Sequence, residues 1–262
     1  MTGFRFPGSI PGLSAILIVF IMNLMLIKPN DFVDENLVEI SDFRFEHIKK
    51  ILKLKISDTI KTGVLNGKIG AGKITKIDEK SVKLEILLDK EPPPINPSIL
   101  FCALPRPKVF RRVLLNAVCF GVKEIHFFQA FKVEKSYWQS PFLSQDSINK
   151  IVENALMQSV DTILPEIYFH RLFKNFVEDV FYKKTQKFPC FVFHPTAENL
   201  RIFDCNSKKC GFVIGPEGGF TYYEIELFLK NNAKIASLGD RILRVEQAVC
   251  SVLGFNYSGN LQ

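Results

Sequence analysis

The segment Gly215-Pro216-Glu217-Gly218-Gly219-Phe220-Thr221 has residue types that could bind a ligand through the backbone alone. It follows the apolar Phe212-Val213-Ile214, and Thr221-Tyr222-Tyr223-Glu224 then fits a capping box that opens a helix. A glycine-rich loop at the carboxyl end of a buried strand is where open α/β sheets bind ligands. Without Cβ atoms, amides and carbonyls come close to a bound molecule. An ordinary tight turn would use the same glycines, so this segment alone leaves both readings open.

A second segment repeats the arrangement. Leu238-Gly239-Asp240-Arg241-Ile242-Leu243-Arg244-Val245-Glu246-Gln247-Ala248 leaves a strand pattern, Ala233–Leu238, and enters a helix pattern. Arginines rarely belong in a core, and Arg241 and Arg244 at such a junction suit a phosphate or a developing oxyanion. Surface pairing with Glu246, or capping of a neighbouring helix, is the plain alternative.

Other motifs fail on inspection. Gly67-Lys68-Ile69-Gly70-Ala71-Gly72-Lys73 fits the spacing of a phosphate loop, but Ile74 stands where the magnesium-binding hydroxyl is needed. A strand pattern also follows where a helix is required. No G-x-G-x-x-G follows a strand, so a dinucleotide fold has no support. Cysteines at 102, 119, 190, 205, 210 and 250 and histidines at 47, 126, 170 and 194 form neither C-x-x-C nor a zinc pattern. No metal is expected. Cysteines inside apolar runs read as small core residues of a protein kept in a reducing, cytoplasmic compartment.

The elements that must position these loops fall into two regions. From Met22 to about Asp89 short strands dominate: Val82, Leu84, Ile86 and Leu88 alternate with Lys83, Glu85 and Leu87. A short helix is predicted over 45–53, with Ile48, Ile51 and Leu52 on one face and Lys49, Lys50 and Lys53 pointing away. This reads as a small β-barrel carrying a basic helix. Pro92-Pro93-Pro94 and Pro97 form a stiff linker. Beyond it, Ile99–Leu104, Lys123–Phe128, Pro189–His194, Gly211–Gly215 and Lys234–Leu238 read as buried strands. Helical stripes lie between and after them: Ile148 to Leu156, Leu172 to Phe181 and Val245 to Leu253. Such alternation predicts an α/β fold with a parallel sheet covered by helices. The expected divisions are 1–21, 22–90 and 96–259.

The 262 residues carry a net charge of +7, unevenly placed. Residues 44–90 hold twelve basic and six acidic side chains, whereas 1–43 hold two and five. Either a solvated lysine face or a phosphate-facing surface accounts for this excess. Leu13–Ile27 is apolar but, at fifteen residues, short of the ~20 of a membrane span. It also lacks the flanks of a signal peptide. The native start is therefore expected at Met22, with 1–21 an upstream extension, an uncleaved anchor and an ordered extra segment being the alternatives. No membrane association is expected.

The two late motifs, in this order, resemble the 16S ribosomal RNA uracil-N3 methyltransferase family, within the knotted SPOUT methyltransferases. The family pattern is close to G-P-E-G-G-F followed by L-G-x-R-I-L-R-x-E-T-A, and here Gln247 replaces the threonine. The resemblance runs from Met22 onward through His47, Ala103-Leu104-Pro105-Arg106, Phe120-Gly121-Val122, Gln158-Ser159 and Pro165-Glu166. It implies a PUA-like RNA-binding barrel, then an α/β SPOUT domain with a C-terminal trefoil knot. It further implies S-adenosylmethionine as methyl donor, a homodimer, and N3-methyluridine formed in 16S rRNA of the 30S subunit. By position, Gly215, Glu217, Gly218, Gly219, Leu238, Gly239, Ile242 and Leu243 line the cofactor pocket. Arg241 and Arg244 support that pocket, contact RNA or act on the target base. The alternatives are another nucleotide target on the same scaffold, or a non-catalytic RNA-binding or assembly protein.

Other places also depart from the family pattern: Asp161 replaces a common arginine, Cys119 replaces a common glutamate, and Lys135-Ser136-Tyr137-Trp138-Gln139 replaces an Arg-Ser segment. These changes are expected around the RNA-facing side. For RNA contact the expected residues are Lys49, Lys50 and Lys53, with Trp138 stacking on a base. Core packing of Trp138 under a loop is its alternative.

Overall fold

The computed structural model describes residues 23–195 and 209–258. The expectation for a start at Met22 lies outside the described residues. Of the apolar run ending at Ile27, Leu24–Ile27 is essentially solvent-free, and Met25–Ile27 forms the first strand. No helix among the described residues is long and apolar enough to cross a membrane.

The first sheet contains β1 (Met25–Ile27), β2 (Phe32–Asp34), β3 (Leu37–Ile40), β4 (Thr59–Val64), β5 (Ile69–Ile77) and β6 (Val82–Lys90). Its order is β1-β4-β5-β6-β3-β2. β1 pairs parallel with β4, and the remaining pairs are antiparallel. The alternation in β6 holds: Val82, Leu84 and Ile86 are buried, while Leu87 is 73% exposed. Met25 and Ile27 on one side of this sheet share a core with Val38 and Ile40 near the other, so the sheet curls around that core. Gly67–Lys73 is a hairpin and the start of β5. A Cβ on Gly70 would lie 1.9 Å from the Leu87 carbonyl oxygen, so this glycine serves a close strand crossing rather than a phosphate.

The basic helix differs from expectation. It comprises α1 (Phe43–His47) followed by a π-helical turn, Ile48–Leu52, closed by Lys53 N–H to Ile48 O. The wider i→i+5 turn rotates position i+3 off the core face. Ile48 is buried, but Ile51 is 41% exposed. Arg44, buried, anchors this region by donating to Leu26 O at 2.5 Å and pairing with Asp31 at 2.6 Å and Asp42 at 2.8 Å.

The second sheet is wholly parallel. It contains β7 (Asn96–Ala103), β8 (Val122–Phe128), β9 (Glu166–His170), β10 (Cys190–Phe193), β11 (Cys210–Ile214) and β12 (Lys234–Ala236), in the order β12-β10-β11-β7-β8-β9. Pro97 belongs to β7, at a register irregularity, and not to the linker. Helices α2 (Pro107–Cys119), α3 (Gln145–Ser159), α4 (Phe173–Asn175), α5 (Tyr182–Thr185), α6 (Tyr222–Lys230) and α7 (Val245–Ser258) cover it. Adjacent side chains of β8 show the two faces. Phe127 meets Phe110 of α2 at 4.8 Å, and Phe128 meets Phe176 at 4.6 Å. The predicted stripe from Leu172 is interrupted: Phe176–Phe181 is a π-helical turn between α4 and α5, and Leu172 is 66% exposed.

The two sheets share a core. Leu24, Leu26 and Ile69 pack with the apolar residues of the second sheet. Leu24 N–H donates to Met157 O at 3.1 Å and Asn66 N–H to Thr162 O at 2.8 Å. Asp161 lies in this junction. It is 4% exposed and pairs with Lys123 Nζ at 2.5 Å, with its other oxygen accepting from Ile163 N–H at 2.9 Å. The expectation that this departure faces RNA is corrected. A buried carboxylate needs a partner, and Lys123 supplies it.

β7, β8 and β9 advance toward one edge, whereas β11, β10 and β12 lie on the other side of β7. The switch point is therefore between β7 and β11, where their carboxyl ends open a crevice.

Candidate functional site

Strand β11 is buried along its whole length and delivers Gly215 to this crevice. The loop then turns back, with Gly219 N–H donating to Pro216 O at 2.8 Å and Gly219 at φ +71°. The capping box is present: Glu224 Oε2 accepts from Thr221 N–H at 2.8 Å, and Thr221 Oγ1 accepts from Glu224 N–H at 3.3 Å. Glu224 is also buried and accepts from Phe131 N–H at 2.7 Å, which ties the loop after β8 to the loop after β11.

Two further contacts fix the glycine loop. Glu217 Oε1 accepts from Arg106 N–H at 3.0 Å, placing a carboxylate at the amino end of α2, where the helix field favours it. Lys132 Nζ donates to Gly218 O at 2.7 Å. A Cβ on Gly218 would stand 2.9 Å from Lys132 Cδ, and one on Gly215 3.1 Å from the Phe220 ring. These glycines are sites of close approach.

The loop after β12 closes the other wall. Gly239 has φ +105°, a conformation that favours glycine. At the start of α7, Gln247 Oε1 accepts from Arg244 N–H at 3.1 Å. The residue that replaces the family threonine therefore acts as the returning half of a cap.

These walls enclose a cleft of about 790 Å³, within the range of small-molecule sites. All eight residues expected at a cofactor line it: Gly215, Glu217, Gly218, Gly219, Leu238, Gly239, Ile242 and Leu243. Arg241 and Arg244 line it too, and among the described residues neither guanidinium has an ion-pair partner. The alternative pairing of Glu246 is with Arg112, at 3.3 Å. Ile242 is 86% exposed, an apolar side chain standing at the cleft.

The expected RNA residues lie elsewhere. Lys49, Lys50 and Lys53 are exposed on the first sheet's helix. Lys49 sits 5.4 Å over the Phe45 ring, and Lys50 pairs with Glu46 at 2.6 Å. Trp138 is half-buried against the core, its indole N–H bonded to Gln129 Oε1 and its ring covered by Arg171 at 5.3 Å. Cys119 is half-buried behind α3, its Sγ directed to Ala155 O at 3.7 Å. Among the described residues no three His, Cys, Asp or Glu side chains gather as a metal site would require.

A family model for the RNA methyltransferase domain matches residues 91–255. The chain belongs to the RNA methyltransferase family. The ribosomal RNA small subunit methyltransferase E 1 of Borreliella burgdorferi is 30% identical over 87% of this chain and 94% of its own length. The methyltransferase E of Treponema pallidum is 28% identical over 88% of each. A crystal structure of the Neisseria gonorrhoeae methyltransferase E bound to S-adenosyl methionine superposes with a TM-score of 0.69 at 18% identity, covering 90% of this chain and 97% of that one. A Legionella pneumophila protein solved with bound SAM gives 0.71 at 19% identity, covering 90% and 97%. The fold is thus that of the SPOUT-type RNA methyltransferases.

Several cleft residues of this RNA methyltransferase escaped the sequence reading. Lys132 reaches Gly218 from 86 positions away and carries no local signature. His194 had a signal: it ends a predicted buried strand, at the edge where such sheets bind ligands. Burial, followed by the charge of Lys132, holds its pKa below the usual histidine value.

Proposed function

We propose that the protein methylates N3 of a uridine in 16S ribosomal RNA, with S-adenosylmethionine as donor, acting as a homodimer on the assembled or partly assembled 30S subunit. The observation that carries this reading is the convergence of two glycine-bearing loops and two arginines on one cleft at the switch point of a parallel sheet. The relatives named as small-subunit rRNA methyltransferases and the SAM-bound neighbours support it. The trefoil knot and the cytoplasmic location implied by the resemblance belong to the same proposal.

The residues fit the cofactor. The cleft has the size for it, and the glycines leave backbone where a Cβ would press on Lys132 or Phe220. Gly215, Gly218, Gly219, Leu238, Gly239 and Leu243 would hold it, while Glu217 keeps the first loop in place. When bound, S-adenosylmethionine supplies an electrophilic methyl group on a sulfonium.

The chain's own residues must prepare the nucleophile. Uracil N3 bears a proton and reacts only once that proton is lost, when negative charge spreads to O2 and O4. A permanently charged guanidinium beside those oxygens favours the anion. Arg241 and Arg244, which line the cleft, are the residues to which this role is assigned. The fixed loops orient the two reactants, an entropic gain. Lys49, Lys50 and Lys53 add charge attraction for the RNA backbone.

The test is transfer of labelled methyl from S-adenosylmethionine to deproteinised 16S rRNA and to 30S particles, with the product nucleotide mapped. N3-methyluridine formed on the particles is the expected result. A methyl group on another atom or another RNA would overturn the target, and no transfer to any RNA would overturn the enzymatic reading.

A further inference from the structure

Two arginines beyond the glycine loops rest on aromatic rings and a third lies beside a tyrosine, contacts that methyl transfer does not use. Arg111 holds its guanidinium 4.9 Å from the centre of the Phe142 ring, and Arg171 lies 5.3 Å over Trp138. Arg106 lies beside Tyr137, whose hydroxyl donates to Glu134 Oε1 at 3.2 Å. All three arginines are exposed, whereas Phe142, Trp138 and Tyr137 are half-buried and rest on the core of the second sheet. The rings are therefore fixed platforms, and the cations lie outside them.

The three arginines share one end of the second sheet. They stand on segments leaving the carboxyl ends of three adjacent strands, β7, β8 and β9. Beneath Arg171 and Trp138, ring contacts run toward α2: Trp138 to Phe169 at 6.3 Å and Phe169 to the buried Phe110 at 6.3 Å. Arg106 also lines the cleft, so the surface runs into it. From Arg106 to Arg112 four of seven residues are basic and none is acidic. Cations at the amino end of a helix oppose its dipole, so their placement does not serve α2. A guanidinium resting on a ring gives up one face and keeps edge donors pre-oriented. Such an edge matches the oxygens of a phosphodiester.

We infer that Arg106, Arg111 and Arg171 form a phosphate track that leads the RNA strand flanking the target nucleotide from the edge of β9, across α2, into the cleft. This rests on the RNA-methylating reading above and is separate from the lysine face of the first sheet. Trp138 is then a positioning residue that holds Arg171, instead of a stacking surface for a base.

The experiment measures binding of the full-length protein to deproteinised 16S rRNA by anisotropy across a salt series, without cofactor. The variants are Arg111→Gln, Arg171→Gln, their double and Arg171→Lys; Arg106 is left intact because it lines the cleft. Each glutamine variant is expected to bind about threefold to tenfold more weakly. The plot of log affinity against log salt should become shallower by about 0.7 per arginine, the value for one single-strand phosphate contact. Arg171→Lys should restore the slope but not the full affinity, because an ammonium cannot lie flat on Trp138. Calorimetry with S-adenosylmethionine should be unchanged in all four. Unaltered affinity and slope would overturn the track. So would weakened binding to 30S particles alone, which would assign the surface to a ribosomal protein. Absence of methyl transfer by the unsubstituted protein would strike the proposed reaction and leave this binding result standing.

Discussion

Glu217 and Arg106 are joined by a single hydrogen bond, from the arginine's backbone N–H to the glutamate's Oε1 at 3.0 Å. The loop after β11 is thereby held by the residue that precedes the helix following β7, its neighbour in the sheet. The glycine loop is fixed on its other side by Lys132. The cleft is thus shaped before any ligand enters, which reduces the ordering needed on binding.

Gly218→Val should disrupt this shape. The added side chain meets Lys132, whose Cδ would be 2.9 Å from the new Cβ, and competes with the Lys132–Gly218 hydrogen bond. Affinity for S-adenosylmethionine should fall at least about tenfold, the consequence of losing roughly 1.4 kcal/mol. Calorimetry returning the parent affinity would remove this loop from the pocket.

Arg241→Ala and Arg244→Ala should separate binding from chemistry. If one guanidinium steadies the uracil anion, its loss appears chiefly in the transition state. Single-turnover methylation should then drop about 100-fold in that variant, the scale of one lost oxyanion donor, with cofactor affinity little changed. Parent rates in both variants would sink the catalytic assignment. Parallel loss of cofactor binding, or a change of mass in light scattering, would recast the pair as loop or dimer supports.

Asp161→Ala should destabilise the fold strongly. It leaves Lys123 in the junction with only the Ile163 carbonyl oxygen, at 2.7 Å. Removing one partner of a buried pair costs about 3–5 kcal/mol. Urea unfolding should show a large drop in midpoint, and Asp161→Arg, which restores the family's common residue, should be no better. A midpoint within error of the parent would show that the pair contributes little.

Acid should weaken the protein in two stages. Burial, then the neighbouring His126, lowers the His170 pKa to about 4. A histidine whose folded value is depressed stabilises above its unfolded value near 6.5, and that contribution is lost as pH falls toward 4. Burial would raise the Glu124 pKa, but hydrogen bonds from His126 and Lys184 prevail and bring it to about 2. Its contribution fades below about pH 4.5. His170→Gln should flatten the thermal midpoint between pH 6.5 and 4 relative to the parent. Identical pH profiles would contradict this.

The two loops that line the cleft were more legible in the sequence than the surroundings that hold them. Gly215–Thr221 and Leu238–Ala248 could be read because each carries its geometry within a few residues: a buried strand, a glycine, a helix cap. Lys132 and Arg106 could not, since their partners are Gly218 and Glu217, far along the chain. Asp161 was misplaced for the same reason: nothing beside it announces Lys123. Ile51 was misassigned because a 3.6-residue period assumes an α-helix, and Ile48–Leu52 is a π-turn. Strand β9 was missed because it lies at the sheet's edge. Tyr168 and Phe169 are 40% and 37% exposed, which blurs the pattern of a buried strand.

Leu26 and Ile69 belong to the first sheet and Leu24 leads into it, yet all three are packed in the core of the second. The protein is therefore built as a calliper rather than as two hands on a string. The shared core opposes independent movement of the lysine-bearing helix and the cleft, so an RNA that touches both must present its two contact points over a narrow span. Fidelity of this kind depends on how the RNA is folded, not only on its letters.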